Sequence, residues 1–234
     1  MNNMEKLTQQ KAVTVLRVLY LIWIIFGIFS LTYIPSTLIV TSDAVTTASN
    51  ILANQLLFRT GIVGSLITHI IFIFGALFLY KLFEPVNKEQ SILMVVLALV
   101  SVPIAMLSSL NLVAALYLLD SPEQMMLFLN LNAQGIVIAS IFWGLWLFPL
   151  GYLIYKSGYF PKIIGLLVIV AGIGYTLDSF LKLLLPEFEV ILSVLEIMTF
   201  GEIIFIIWLL IKGAKLPETK SFSPGAVEKQ AVKG

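Results

Sequence analysis

Four ionisable side chains stand where an apolar chain has least use for them: His69, Asp178, Glu196 and Glu202. Each falls inside a run long enough to cross a bilayer. A charged residue at the centre of such a run costs about 2.5–3.5 kcal/mol on insertion scales, so each needs a reason to be there. His69 and Glu202 fall at similar depth and form the pair suited to general acid–base exchange. Asp178 precedes Lys182 by four residues, the spacing of a helical ion pair with the acid on its favourable side. Glu196 sits near an interface and can snorkel to it. Glu202 is mid-run with no Lys or Arg within four residues, which makes it the hardest to dismiss as structural. Asn111 is a weaker polar companion. The plain alternative for His69 is a hydrogen bond to a neighbouring carbonyl.

Much chemistry is excluded. The chain has no Cys and one His, so disulfides, thiolate nucleophiles, Cys-based metal sites and multi-His zinc sites are out. No Gly-x-Ser-x-Gly nucleophile elbow is present. No cofactor or metal is expected, and catalysis is the less favoured reading. Fourteen basic against thirteen acidic residues leave a net charge of +1, which argues against a nucleic-acid partner.

The elements that must position these groups follow from composition. The 234 residues are 59% hydrophobic and 12% charged, with a mean hydropathy of +1.02. A soluble domain has roughly twice that share of charge, about 25%. The fold class expected is all-α: a polytopic membrane protein of six transmembrane helices with short outer interfacial helices. The expected spans are 12–34, 60–80, 91–118, 133–155, 163–185 and 190–211. Pro35 is read as ending the first. Residues 213–234 are read as a disordered cytoplasmic tail.

An even number of spans puts both termini on one side, and the basic residues say which. Twelve of fourteen, in the N-terminal segment, in the second and fourth connections and from Lys212 on, fall on the side of the termini, against Arg59 and Lys182 opposite. That split predicts cytoplasmic termini. Trp143 and Trp146 are too deep for the interfacial aromatic belt; core filling is their plain reading and a ligand platform the sharper one.

Two outer connections read as helices. Asp43, Thr47, Asn50 and Asn54 recur at spacings of 4, 3 and 4, one helix face. The expectation is a helix from Asp43 to Arg59 over the outer mouth, polar stripe inward, with Val45, Ala48, Leu52 and Leu56 on the other side. Ser121-Pro122-Glu123-Gln124 reads as a capping box with proline at the first helical position. It predicts a short outer helix from Pro122 to Leu131, followed by the fourth span.

The stretches YIPSTLIVTSDAVTTASNILANQLLFRTGI (residues 33–62) and IFWGLWLFPLGYLIYKSGYFPKIIGLLVIVAGIGYTLDSF (residues 141–180) resemble the signatures of a bacterial membrane family, domain of unknown function 4386. Gly201-Glu202 and Trp208-Leu209-Leu210 also fit. The resemblance covers nearly the whole chain except its tail. It implies a six-helix fold and draws attention to Asp43, Asn50, Arg59, Trp143, Trp146, Asp178 and Glu202, but it implies no reaction. Where the family often carries Glu, this chain has Gln55, which reduces a helical Glu–Arg pair with Arg59 to an amide contact.

Three functions compete: binding or transport of a small ligand through an outward-facing polar pocket, a non-catalytic structural or stress-related envelope role, and an intramembrane lipid-modifying activity. The first is preferred. Its ligand-binding candidates are Asp43, Asn50, Asn54, Arg59, His69, Trp143, Asp178 and Glu202. The partners expected are the lipid bilayer and a small-molecule or lipid ligand. The expected location is a bacterial cytoplasmic membrane, crossed several times. Ligand identity, coupling ion and oligomeric state are not legible.

Overall fold

Apolar runs in a medium without water must satisfy their backbone internally, and helices do so within one segment. The computed structural model describes residues 3–217, and these are helical with short connections and no strand. The helices are α1 (Asn3–Gly27), α2 (Ile34–Leu38), α3 (Ala44–Ala53), α4 (Gln55–Phe83), α5 (Lys88–Leu116), α6 (Pro122–Ser157), α7 (Lys162–Leu184), α8 (Glu189–Met198) and α9 (Phe200–Ile211). A π-helical turn, Ile28–Tyr33, joins α1 to α2. Among the described residues, six segments are long and apolar enough to span a bilayer: Leu7–Leu38, α4, α5, α6, α7 and Glu189–Ile211. Their outer faces carry residues such as Leu107, Leu110 and Ile197, each more than 60% exposed. In water such faces would drive aggregation; in a bilayer they meet lipid. This is an all-α integral membrane protein.

The spans follow one another around a ring. The first packs on α4, α4 on α5, α5 on α6, α6 on α7, and α7 on α8 and α9; α1 meets α9 and closes the circle. Packing is densest along α6, where glycines let backbones approach. A Cβ on Gly144 would lie 2.8 Å from the carbonyl oxygen of Gly172, and one on Gly151 2.7 Å from that of Gly165. The core falls into two clusters. One, with Leu16, Phe83, Met94, Leu150 and Phe205, fills the end that carries both described termini. The other, with Leu38, Ile51, Phe58, Leu116 and Met125, fills the opposite end.

Four boundaries differ from the sequence expectation, each for a local reason. Pro35 does not end the first span, which stays helical to Leu38. The π turn ahead of it, where the Ile34 amide bonds to the Phe29 carbonyl, takes up the register change that a proline imposes. The segment 122–131 is not a separate helix. α6 runs for 36 residues, about 54 Å, because Met125 and Leu129 bury against the opposite-end core cluster and no proline separates them from the fourth span; Pro149 lies deeper, inside the helix. It stops at Gly158, whose φ of 68° suits glycine.

The segment 43–59 is two helices, parted at Asn54 (φ −128°, ψ 40°). Finally, residues 213–217 do not begin a free tail. The Lys215 amide bonds to the Tyr159 carbonyl at 2.9 Å, and Ala214 and Leu216 pack on the core. The rest of the expected tail, from residue 218, lies outside the described residues.

Candidate functional site

A ring of six helices leaves a centre, and the side chains aimed there are neither small nor uniformly apolar. A cavity of about 140 Å³ is lined by Trp23, Leu31, Thr68, His69, Phe72, Trp143, Trp146, Tyr175 and Glu202. Five of the six spans contribute; the remaining one, α5, holds a wall in place. The Trp143 Nε1–H donates to Ser101 Oγ at 3.1 Å, and Ser101 Oγ–H donates to the Ala98 carbonyl at 2.6 Å. The indole of Trp143 is thereby fixed from behind. His69 stacks on its front, centroids 6.2 Å apart and planes 22° from parallel. Phe72 meets Trp146 edge-on at 5.1 Å.

His69 is buried on α4, and its Nδ1 lies 2.7 Å from the Ser65 carbonyl oxygen. A carbonyl can only accept, so Nδ1 carries the proton. In the neutral ring Nε2 is then the acceptor, on a ring that borders the cavity. The carbonyl contact expected for a structural histidine is therefore present and leaves the second nitrogen available.

Glu202 arrives through an interruption in the last span. At Thr199 the helix tightens: the Thr199 amide bonds to the Glu196 carbonyl, three residues back, and Thr199 Oγ–H donates to the same oxygen at 2.6 Å. The Glu202 amide bonds in turn to the Thr199 carbonyl at 3.2 Å. Glu202 thus stands in the first turn of α9, where helix dipoles favour a carboxylate. Gly201 beside it lies against the Leu167 carbonyl of α7, with no room for a Cβ. The Tyr175 hydroxyl interacts with the Glu202 carboxylate.

A second cavity, about 610 Å³, adjoins the first and shares Leu31 and Trp143 with it. It reaches toward the end opposite the termini, where Ser36, Ile39, Thr41, Phe58, Met126 and Leu129 line it. Asn130 and Asn132 supply polar edges, and Asn132 Nδ2 donates to the Ser108 carbonyl at 3.0 Å. Ser30, in the π turn, lines this cavity with a buried hydroxyl that has no hydrogen-bond partner among the described residues.

Of the eight candidate residues, the structure brings three together: His69, Trp143 and Glu202. The others serve elsewhere and line neither cavity. Asp43 is exposed and caps α3, its Oδ1 accepting from the Thr46 amide at 2.9 Å and its Oδ2 from the Thr46 hydroxyl at 2.6 Å. These bonds, the hydroxyl's first, hold its pKa below the usual carboxylate range. Asn50 Nδ2 donates to the Leu38 carbonyl at 3.3 Å and ties α3 to α2. Asn54 is exposed and bonds back to the Asn50 carbonyl. Arg59 is exposed on α4.

The stripe expected to face inward does so only at Thr47, whose hydroxyl bonds both the amide and the carbonyl of Val40. Ala48, expected on the far side, is buried with Ile51, because the break at Asn54 lets α3 turn its own apolar face to the core. Asp178 forms an ion cluster at the end away from the termini. Lys182 Nζ lies 2.9 Å from Asp178 Oδ2 and 3.0 Å from Glu196 Oε1, bridging α7 to α8.

Sequence reasoning missed Tyr175, Trp23, Phe72 and Thr68 as cavity residues. Tyr175 had a signal, an aromatic hydroxyl three residues before Asp178 at mid-span. Gln9 was missed as well: buried, it donates to the Leu82 carbonyl and to the Tyr159 hydroxyl, both at 3.0 Å.

The model of the family described as domain of unknown function 4386 matches residues 17–213. The chain belongs to that family. The matched range contains every residue of the central cavity and both helix interruptions. A protein of Archaeoglobus fulgidus, described only as an uncharacterized protein, is 36% identical over 160 residues, covering 68% of this chain and 88% of its own. No solved structure matches. In this DUF4386 member, His69, Trp143 and Glu202 line the central cavity.

Proposed function

We propose that this DUF4386 protein binds a small ligand at its centre and moves it between the bilayer midplane and one membrane face. The observation that carries the reading is convergence. His69, Trp143 and Glu202 come from three separate spans to one cavity, and a larger cavity leads from that point toward the end opposite the termini. Polar groups at this depth are expensive, and ligand or ion pathways are their usual reason.

Transport, rather than static binding, draws support from where the helices are interrupted. The π turn carries Leu31, and the Thr199 break precedes Glu202; both residues line the cavity. Discontinuous spans beside a midplane site are what alternating access uses, and π turns recur at functional sites. The charge asymmetry supports cytoplasmic termini, so the larger cavity would open outward from a cytoplasmic membrane.

A structure determined from protein extracted without exchange of its native contents tests the reading. Density for a small molecule between His69 and Glu202 is expected. Side chains closed over this space, with neither solvent nor ligand, would remove the basis for the proposal.

A further inference from the structure

The chemistry of the central cavity narrows its ligand, on the understanding that the cavity is a binding site as proposed above. Size comes first. An apolar cavity of about 150 Å³ holds one benzene, so about 140 Å³ admits roughly six heavy atoms of a ligand beside His69 and Glu202. Charge comes next. The lining contains one carboxylate, Glu202, and neither Lys nor Arg. An anion would meet no positive partner there and would bear its desolvation uncompensated. A bare metal ion is also a poor fit, since no group of three His, Cys, Asp or Glu side chains with metal-holding geometry occurs among the described residues.

The walls say the rest. Trp23, Phe72, Trp146 and Tyr175 join Trp143 around the space. Aromatic faces attract organic cations, most strongly where water is excluded. With Nδ1–H donating to the Ser65 carbonyl, the neutral His69 ring turns a lone pair, not a proton, to a ligand.

We infer that the cavity selects a small protonated amine, held by the Glu202 carboxylate, by aromatic faces and by an N–H bond to His69 Nε2. The N–H matters: a quaternary ammonium of similar size would satisfy Glu202 and the rings but leave the His69 acceptor empty. A cation beside Glu202 also removes the cost of holding that carboxylate at mid-span.

The chain has no cysteine, so Thr68→Cys places a single thiol on the cavity wall. Its modification by a small methanethiosulfonate reagent is followed in the full-length protein in vesicles, with trimethylammonium chloride or tert-butanol as probes. Trimethylammonium is expected to slow labelling about tenfold, with tert-butanol, a neutral molecule as bulky as tetramethylammonium, slowing it less than about twofold. Tetramethylammonium should protect more weakly than trimethylammonium. Adding Glu202→Gln should weaken protection by the cation about tenfold or more, a difference of about 1.4 kcal/mol. Equal protection by tert-butanol, protection by the cation that survives Glu202→Gln, or no protection by any probe would overturn the assignment of an amine while leaving an accessible cavity. A thiol that never reacts would instead remove the binding site on which the assignment rests. The comparison of probes needs only Thr68→Cys, so it stands even if the Glu202→Gln chain folds poorly.

Discussion

The imidazole of His69 lies flat against the indole of Trp143, and each ring is anchored by a serine on its own side of the contact. Ser65 offers its carbonyl to His69 Nδ1, and Ser101 offers its hydroxyl oxygen to Trp143 Nε1. Three spans are thereby joined at mid-bilayer through one stacked pair. Such an arrangement fixes the orientation of the histidine and leaves one face of the pair to a ligand.

The pair makes a graded prediction. Trp143→Phe keeps an aromatic face but removes the N–H, so it should cost about 0.5–1.5 kcal/mol, the net worth of a hydrogen bond. Trp143→Ala empties the wall and should cost about 3–5 kcal/mol. Thermal unfolding in detergent measures both. Equal losses would mean that the indole N–H, not the ring, holds the pair.

Close helix approach should be local to particular glycines. Gly201 lies against the Leu167 carbonyl of α7, whereas a Cβ on Gly75 would meet nothing within 4 Å. Gly201→Ala is expected to destabilise by about 1–3 kcal/mol through overpacking. Gly75→Ala should be neutral or stabilising by about 0.5–1 kcal/mol, since alanine favours helix. The same unfolding assay compares them, and a tolerated Gly201→Ala would contradict the α7–α9 packing.

The ion cluster should respond asymmetrically. The Asp178 side chain is 12% exposed and that of Glu196 61%, and Asp178 Oδ1 is buried with no partner among the described residues. Lys182→Met strands the buried carboxylate and should cost about 3–5 kcal/mol. Glu196→Gln loosens only the exposed arm and should cost less than about 1 kcal/mol. Unfolding measurements giving the reverse order would show Glu196 to be the anchored partner.

Asp43 predicts a pH dependence outside the membrane. Its folded pKa is depressed by the Thr46 hydroxyl and amide, so the cap's contribution is full above the unfolded value of about 3.9. It is lost as pH falls through the folded value. Hydrogen-exchange protection at the start of α3 should therefore decline below about pH 4 beyond any global change. Asp43→Asn keeps a good cap and should abolish that extra decline. An unchanged decline in the Asn variant would assign it to another group.

Both termini should lie on the cytoplasmic side. Reporters fused after Ser42 and after Lys88 are expected to show opposite sidedness, since one span lies between them. Equal outside labelling would contradict the charge-based orientation.

Much of the fold was legible because a bilayer enforces it. Long apolar runs can only be helices there, and prolines and basic residues mark the connections, so all six spans were visible. The finer architecture was not, because it depends on neighbours. Asp43 and Asn54 share a helical spacing with Thr47, yet they stand at the two ends of α3, Asp43 as its cap and Asn54 at the break, and both face solvent. Pro35 reads as a stop, but the π turn before it absorbs the proline. Glu202 and His69 were legible as misplaced polar groups; that they line one cavity with Trp143 follows from helix order around the ring, which no single-chain periodicity encodes. Asp178 was set apart from Glu202 in the sequence by Lys182 one turn away, and that ion pair forms.

The central claim is that water and small solutes reach the His69–Trp143–Glu202 cavity from the face opposite the termini. Single cysteines at Ser65, which lines the larger cavity, and Thr68, which lines the central one, test it in vesicles of known orientation. A membrane-impermeant thiol reagent added outside should modify both, Ser65→Cys faster than Thr68→Cys, while Ala98→Cys, fully buried in the core, stays unmodified. Protection of both Ser65→Cys and Thr68→Cys from outside, or their modification only from the side of the termini, would contradict the account.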